Sequence, residues 1–135
     1  MTISYAIGLG ARRGVDAHSL VDLVRQVVDD LDVTLAESSL FTTESKTTEP
    51  GFQEAARLLG LPISYLPLAS LKKRRGSSKT NSPRVQAMFG VGSVSEAAAL
   101  VGAGPGSRLL APRRSTPVAA CAIAIVASPV AENGL

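Results

Sequence analysis

The segment Gly8-Leu9-Gly10-Ala11-Arg12-Arg13-Gly14 joins two guanidinium groups to a backbone with little side-chain bulk. Arginines fork onto carboxylates or phosphates through paired hydrogen bonds, and glycines let backbone N–H groups approach the same anion. The plainer alternative is a tight turn with both arginines in water. Spacing rejects two nucleotide-binding motifs. The third glycine of a G-x-G-x-x-G fingerprint would stand at Arg13 and arrives one residue late, and no lysine–hydroxyl pair of a P-loop follows. Further along, Lys46 is a cation among polar residues, and Gly92 precedes Ser93-Val94-Ser95-Glu96, which has the form of a capping box. A helix start carries unpaired N–H groups and partial positive charge, so it caps itself and can also receive an anion. The candidate ligand-binding residues are therefore Gly8, Gly10, Arg12, Arg13, Gly14, Lys46, Gly92 and Ser93.

Glu44 and Glu49 are the carboxylates nearest these groups in sequence, and either is a candidate general base if an apolar cleft or a nearby charge tunes it. Glu49 also stands beside Pro50, where an acid complements a helix dipole. His18 is the only histidine, with no neighbouring cysteine to complete a metal site, so neither a metal nor a cofactor is expected. Cys121 lies in the apolar run Ala119-Ala120-Cys121-Ala122-Ile123, the setting of a buried small hydrophobe rather than a reactive thiolate.

These groups need elements to place them. Residues 3–9 read as a strand, the glycine segment as a loop, and Asp16 as the N-cap of a helix with Leu20, Leu23, Val24, Val27 and Leu31 in one apolar stripe. Residues 39–43 read as a second strand, with Glu44-Ser45-Lys46 just beyond its C-terminal end. Thr47 or Thr48 is expected to cap a helix whose apolar face is Phe52, Ala55, Ala56 and Leu59 and whose stop is Gly60. Residues 63–66 form a third strand. From 67 to 84 the apolar periodicity lapses after Leu71, and Lys72, Lys73, Arg74, Arg75, Lys79 and Arg84 occur without an acid, so 72–84 reads as a mobile basic loop. Ser82-Pro83 opens a short helix with Val85, Met88 and Phe89 inward, and Ser93 opens another running to Val101. Residues 107–111 and 118–126 are the last strands, and the tail from 128 is expected to fray. Strands alternating with helices predict a three-layer α/β/α single domain over 1–135. Its sheet is mostly parallel but mixed, because no helix separates the last two strands. Ligands in such sheets sit where strands end and helices begin, the place of the glycine–arginine loop.

Composition narrows the function. The chain of 135 residues is 45% hydrophobic, enough for one modest core, and only 4% aromatic with no Trp, which argues against recognition by base stacking. A single cysteine excludes an internal disulfide framework and a cysteine-rich zinc site, and fits a reducing cytoplasm. The N-terminus lacks the pattern of a signal peptide. The longest near-uniform apolar run, 118–127, is ten residues where a membrane helix needs about twenty, so no membrane partner is expected. The net charge of +3 conceals an asymmetry: residues 1–54 hold four basic and nine acidic side chains (net −5), and 55–135 hold ten basic and two acidic (net +8). The second half attracts anions, although screened attraction does not say which. Nucleic acid is disfavoured, because the basic residues of 72–84 are interspersed with flexible ones rather than set along a recognition helix.

Four blocks carry a family resemblance. The segment from Gly8 to Gly14 resembles the opening of the CobE family of cobalamin-biosynthesis proteins and of the C-terminal domain of CbiG. Lys46 with Glu49-Pro50-Gly51 and the helix that follows is similar to the family's second block. Ser93-Val94-Ser95-Glu96-Ala97-Ala98-Ala99-Leu100 is similar to the third, and Leu109-Leu110-Ala111-Pro112-Arg113 with the strand after it to the fourth. The resemblance spans almost the whole chain. It implies a protein of corrin-ring synthesis near the ring-contraction steps, with a precorrin or corrinoid intermediate as its ligand. CbiG is a hydrolase that opens a ring lactone of a cobalt-precorrin and releases acetaldehyde. This chain starts at the motif of CbiG's C-terminal domain and matches the standalone CobE form in length, so two roles follow from the resemblance. One is a carrier or accessory protein holding the intermediate for another enzyme of the pathway; the other is a small precorrin-lactone hydrolase. A nucleic-acid-binding domain using the 72–84 loop is the reading from a different class. Acetate and propionate groups edge a precorrin, which demands dispersed cations and N–H donors around an apolar floor. Arg12, Arg13, Lys46 and the Gly92-Ser93 helix start match that demand.

Overall fold

Ile7 and Leu9 point to one side of a strand and Ala6 and Gly8 to the other, and all four are buried, the mark of a strand covered on both faces. This is β1, Tyr5–Ala11, in a computed structural model that describes residues 4–73 and 93–126. Asp16 then caps α1, Ala17–Leu31, by accepting the Ser19 N–H at 2.8 Å, and the predicted stripe of Leu20, Leu23, Val24 and Val27 is buried. After a 3-10 turn at Leu35–Glu37 come β2, Ser38–Thr43, a second 3-10 turn at Glu44–Lys46, and α2, Pro50–Leu59. The cap of α2 differs from expectation. Pro50 takes the first helical position and holds Glu49 extended as the N-cap residue, while the Thr47 hydroxyl donates instead to the Glu44 carbonyl at 2.6 Å.

β3, Ile63–Leu66, leads into α3, Leu68–Lys72. This short helix ends one residue into the stretch read as a basic loop. Pro67 sets its entry, and Leu71 is fully buried against Val94, Ala97 and Ala98, a contact no local pattern reveals. Most of the basic loop, the helix expected at Ser82-Pro83, Gly92 and the tail from 128 lie outside the described residues. α4, Val94–Ala103, is followed by β4, Arg108–Ser115, and β5, Ala119–Ile125. β4 runs four residues past its expected end at 111, because Pro112 falls on the outermost strand at a break in register, where a missing N–H is tolerated.

Among the described residues the five strands are ordered β3-β2-β1-β5-β4. β1 pairs in parallel with β2, and β2 with β3, while β5 runs antiparallel to both β1 and β4. The sheet is thus mixed with a mostly parallel sense, as expected. α1 and α2 cover one face over Ile7, Leu9, Leu40, Cys121 and Ile123; α4 covers the other over Ala6, Ala122 and Ala124. That second face is floored by small residues, so α4 lies close. A Cβ on Gly8 would collide with the Ser95 carbonyl, and one on Gly102 with the Phe41 ring. Among the described residues no helix is long and apolar enough to cross a membrane.

Candidate functional site

The C-terminal ends of β1 and β2, the first turn of α4 and the β4–β5 hairpin enclose an open cleft of about 500 Å³. Its floor and walls include Gly10, Thr43, Val94 and Ser95, with Val118 and Ala120 from the hairpin side. Arg12, Arg13, Lys46 and Arg113 line it as well, and no acidic side chain does so among the described residues. Four cations around a partly apolar hollow suit a ligand bearing several carboxylates on an apolar body.

Local hydrogen bonds hold each wall. Arg12 donates its N–H to the Val118 carbonyl at 2.9 Å, tying the glycine–arginine loop to the hairpin. Gly14 has φ +80, the left-handed conformation that glycine adopts freely, and its N–H donates to Glu49 Oε1 at 2.8 Å. The loop is thereby braced against the start of α2. Lys46 sits at the end of the 3-10 turn that follows Thr43. In the hairpin, the Thr116 hydroxyl accepts the N–H groups of Val118 and Ala119 at 3.2 and 3.1 Å, a side-chain turn that lets four residues reverse the chain.

Of the residues singled out from sequence, Gly10, Arg12, Arg13 and Lys46 line the cleft. Gly8 lies beneath α4 and serves close packing, and Gly14 shapes the loop. Ser93 is fully buried; its hydroxyl accepts the Glu96 N–H at 3.2 Å and lies 3.2 Å from the Ser95 hydroxyl, so the helix cap occupies it. Gly92 is outside the described residues. Neither carboxylate considered as a base lines the cleft: Glu49 holds Gly14, and Glu44 Oε2 accepts the Leu68 N–H at 3.3 Å. Sequence reasoning missed Thr43, Ser95, Arg113 and the hairpin residues 115–118. Thr43 directly precedes Glu44 and Ser95 lies in the Ser93 capping box, while Arg113 belongs to the fourth family block, where its sequence neighbours assign it no role. Nothing local marked the hairpin as a wall.

Burial pushes the Cys121 thiol up to about 12, so it is a packing group on the α1 face rather than a nucleophile. His18 is exposed in the first turn of α1, and among the described residues no three His, Cys, Asp or Glu side chains gather as a metal site.

Comparison with known proteins gives concordant findings. The model of the family described as "Cobalamin synthesis G C-terminus" matches residues 5–125. Protein CobE of Sinorhizobium sp is 28% identical over 128 residues, which are 94% of this chain and 83% of that protein. The crystal structure of CobE, a protein from the cobalamin (vitamin B12) biosynthetic pathway, superposes with a TM-score of 0.87 at 32% identity, covering 94% of this chain and 93% of that one. Cobalamin biosynthesis protein chiG from Agrobacterium tumefaciens superposes with a TM-score of 0.72 at 27% identity, covering 92% and 99%.

Proposed function

The chain belongs to the cobalamin synthesis G C-terminus family, and within that setting of cobalamin biosynthesis we propose that its cleft binds a precorrin or corrinoid intermediate as cargo. The observation that carries this reading is the lining: Arg12, Arg13, Lys46 and Arg113 with no carboxylate among the described residues, beside Val94, Val118, Ala119 and Ala120. A tetrapyrrole-derived ring presents the complementary surface, an apolar disc with acetates and propionates at its edge. At about 500 Å³ and open to solvent, the cleft takes one edge of such a ring and leaves the rest presented to a further enzyme of the pathway. That geometry favours a carrier or accessory protein over a lactone hydrolase, since Glu44 and Glu49 are engaged elsewhere by backbone N–H groups.

A titration tests it. Cobyrinic acid, a corrin whose edge side chains are free carboxylates, absorbs visible light, and its spectrum responds to transfer into a binding site. The expected result is a saturable spectral shift, complete on mixing and weakened by salt. A precorrin lactone treated in the same way should show a shift of the same kind; a slow, progressive change on catalytic amounts of protein would replace the carrier reading with the hydrolase. Absence of any shift with either compound would remove the cleft as a corrinoid site.

A further inference from the structure

The ladder between β4 and β5 changes register twice, between Leu109 and Ala111 and again beside Arg113. Ala111 faces Ile123 and Arg114 faces Cys121, so three steps along β4 match two along β5 and one residue of Pro112-Arg113 is surplus. Directly opposed residues of an antiparallel pair share a face, and a slip of one residue sends side chains to the opposite face. Carried on without interruption from Ala111, the register would set Arg113 opposite Cys121, on the face covered by α1. The bulge sets Arg114 there instead, where its guanidinium pairs with Asp30 of α1. This second slip restores the phase of Leu109, which packs on the α4 side, and Arg113 lines the cleft from that same face.

A bulge needs a partner for the N–H that it removes from the ladder. Pro112 has none to offer, and the Arg113 N–H donates to Glu96 Oε2 at 2.9 Å. Glu96 belongs to the first turn of α4 and has no solvent exposure. The carboxylate supplies a strong, charge-assisted clamp between α4 and the bulge, at the second of the two register shifts of β4.

We infer that Arg113 is a specificity-determining cation of the cleft, donating to an edge carboxylate of the bound ring, and that Glu96 is a positioning residue that holds the bulge in the phase aiming it there. The inference rests on the polycarboxylate reading of the cleft and adds the side chain that reads the ligand from the β4 wall. Arg114, its neighbour with the same charge, has no part in binding.

Cobyrinic acid and its fully methylated ester, which keeps the ring and loses the charges, are titrated against wild type, Arg113→Ala, Arg114→Ala, Glu96→Ala, Glu96→Gln and the Glu96→Ala/Arg113→Ala double variant. The wild type is expected to prefer the acid. Arg113→Ala weakens the acid about tenfold and leaves the ester unaffected, while Arg114→Ala stays within about twofold of wild type. Glu96→Ala weakens the acid as much as Arg113→Ala does, and the double variant is no weaker than either, because one interaction has been removed by two routes. Glu96→Gln keeps an oxygen for the Arg113 N–H and restores affinity. Where Glu96→Ala does not fold, amide exchange at Arg113 in Glu96→Gln decides the positioning role: exchange as slow as in wild type supports it, and free exchange overturns it. Wild-type affinity in folded Arg113→Ala, or additive losses in the double variant, overturns the inference and leaves the cleft as a corrinoid site. Failure of the wild type to bind the acid overturns the cleft reading itself, and this inference with it.

Discussion

Arg12 and Arg13 are exposed at the cleft and form no ion pair among the described residues, so their charge is free for a ligand and contributes little to the fold. Replacing both with Ala should lower affinity for cobyrinic acid about tenfold or more while leaving the thermal midpoint nearly unchanged, to be read by absorbance titration and calorimetry on the same sample. Gly8 behaves in the opposite way. Its missing side chain is the space that the Ser95 carbonyl and the Ala99 amide occupy, both of them backbone atoms that cannot swing aside. Gly8→Ala should therefore destabilise the protein by about 3 kcal/mol or more, measured by urea unfolding, and any loss of binding should track the unfolded fraction. The two glycine–arginine neighbours thus divide between ligand and packing. Sequence alone could not divide them, because a glycine needed for a close helix and one needed for a close ligand look the same in one dimension.

At the scale of elements, the loop from β1 to α1 is shaped by a residue from the start of α2. Glu49 reaches Gly14 across 35 positions of sequence, joining two of the family blocks through one hydrogen bond. Glu49→Ala should leave α2 intact, since Pro50 still sets its first turn, yet weaken ligand binding several-fold by freeing the loop. A circular dichroism spectrum matching wild type together with unchanged affinity would show that the brace is idle. The elements themselves were largely legible: the Asp16 cap, the stripe of α1, the Gly60 stop and the Ser93 cap all depend on neighbours within a turn or two. The exceptions have physical causes. Thr47 was a sound cap by type but its hydroxyl serves the preceding turn, and α3 is a five-residue helix stabilised by Leu71 packing on α4 rather than by its own pattern. The end of β4 was hidden by Pro112, which normally closes a strand and here sits in a bulge on the edge.

For the whole molecule, Cys121 reports on the integrity of the sheet. It lies on β5, between β1 and β4, and burial raises its thiol from 9.0 to about 12. A group whose native value is raised adds stability below its unfolded value and loses it as pH rises toward the native one. Relative to Cys121→Ala, the wild type should therefore lose stability between about pH 9 and 12, followed by denaturant unfolding at stepped pH. Alkylation of the native thiol at neutral pH should proceed only as fast as the protein unfolds. Local sequence thus determined the layered alternation of strands and helices, the mixed sense of the sheet and the burial of Cys121, because caps, stripes and apolar runs act over short stretches of chain. The cleft is of another kind. Three of its four cations among the described residues, Arg12, Arg13 and Lys46, come from the half of the chain with net negative charge, so charge counted along the sequence pointed away from them. They meet Arg113 only because β1 pairs with β2 on one side and β5 on the other. Which arginine of β4 enters the cleft rests on the register of β4 against β5, shifted twice along its length, and a register is a property of the pair that neither strand's sequence holds by itself.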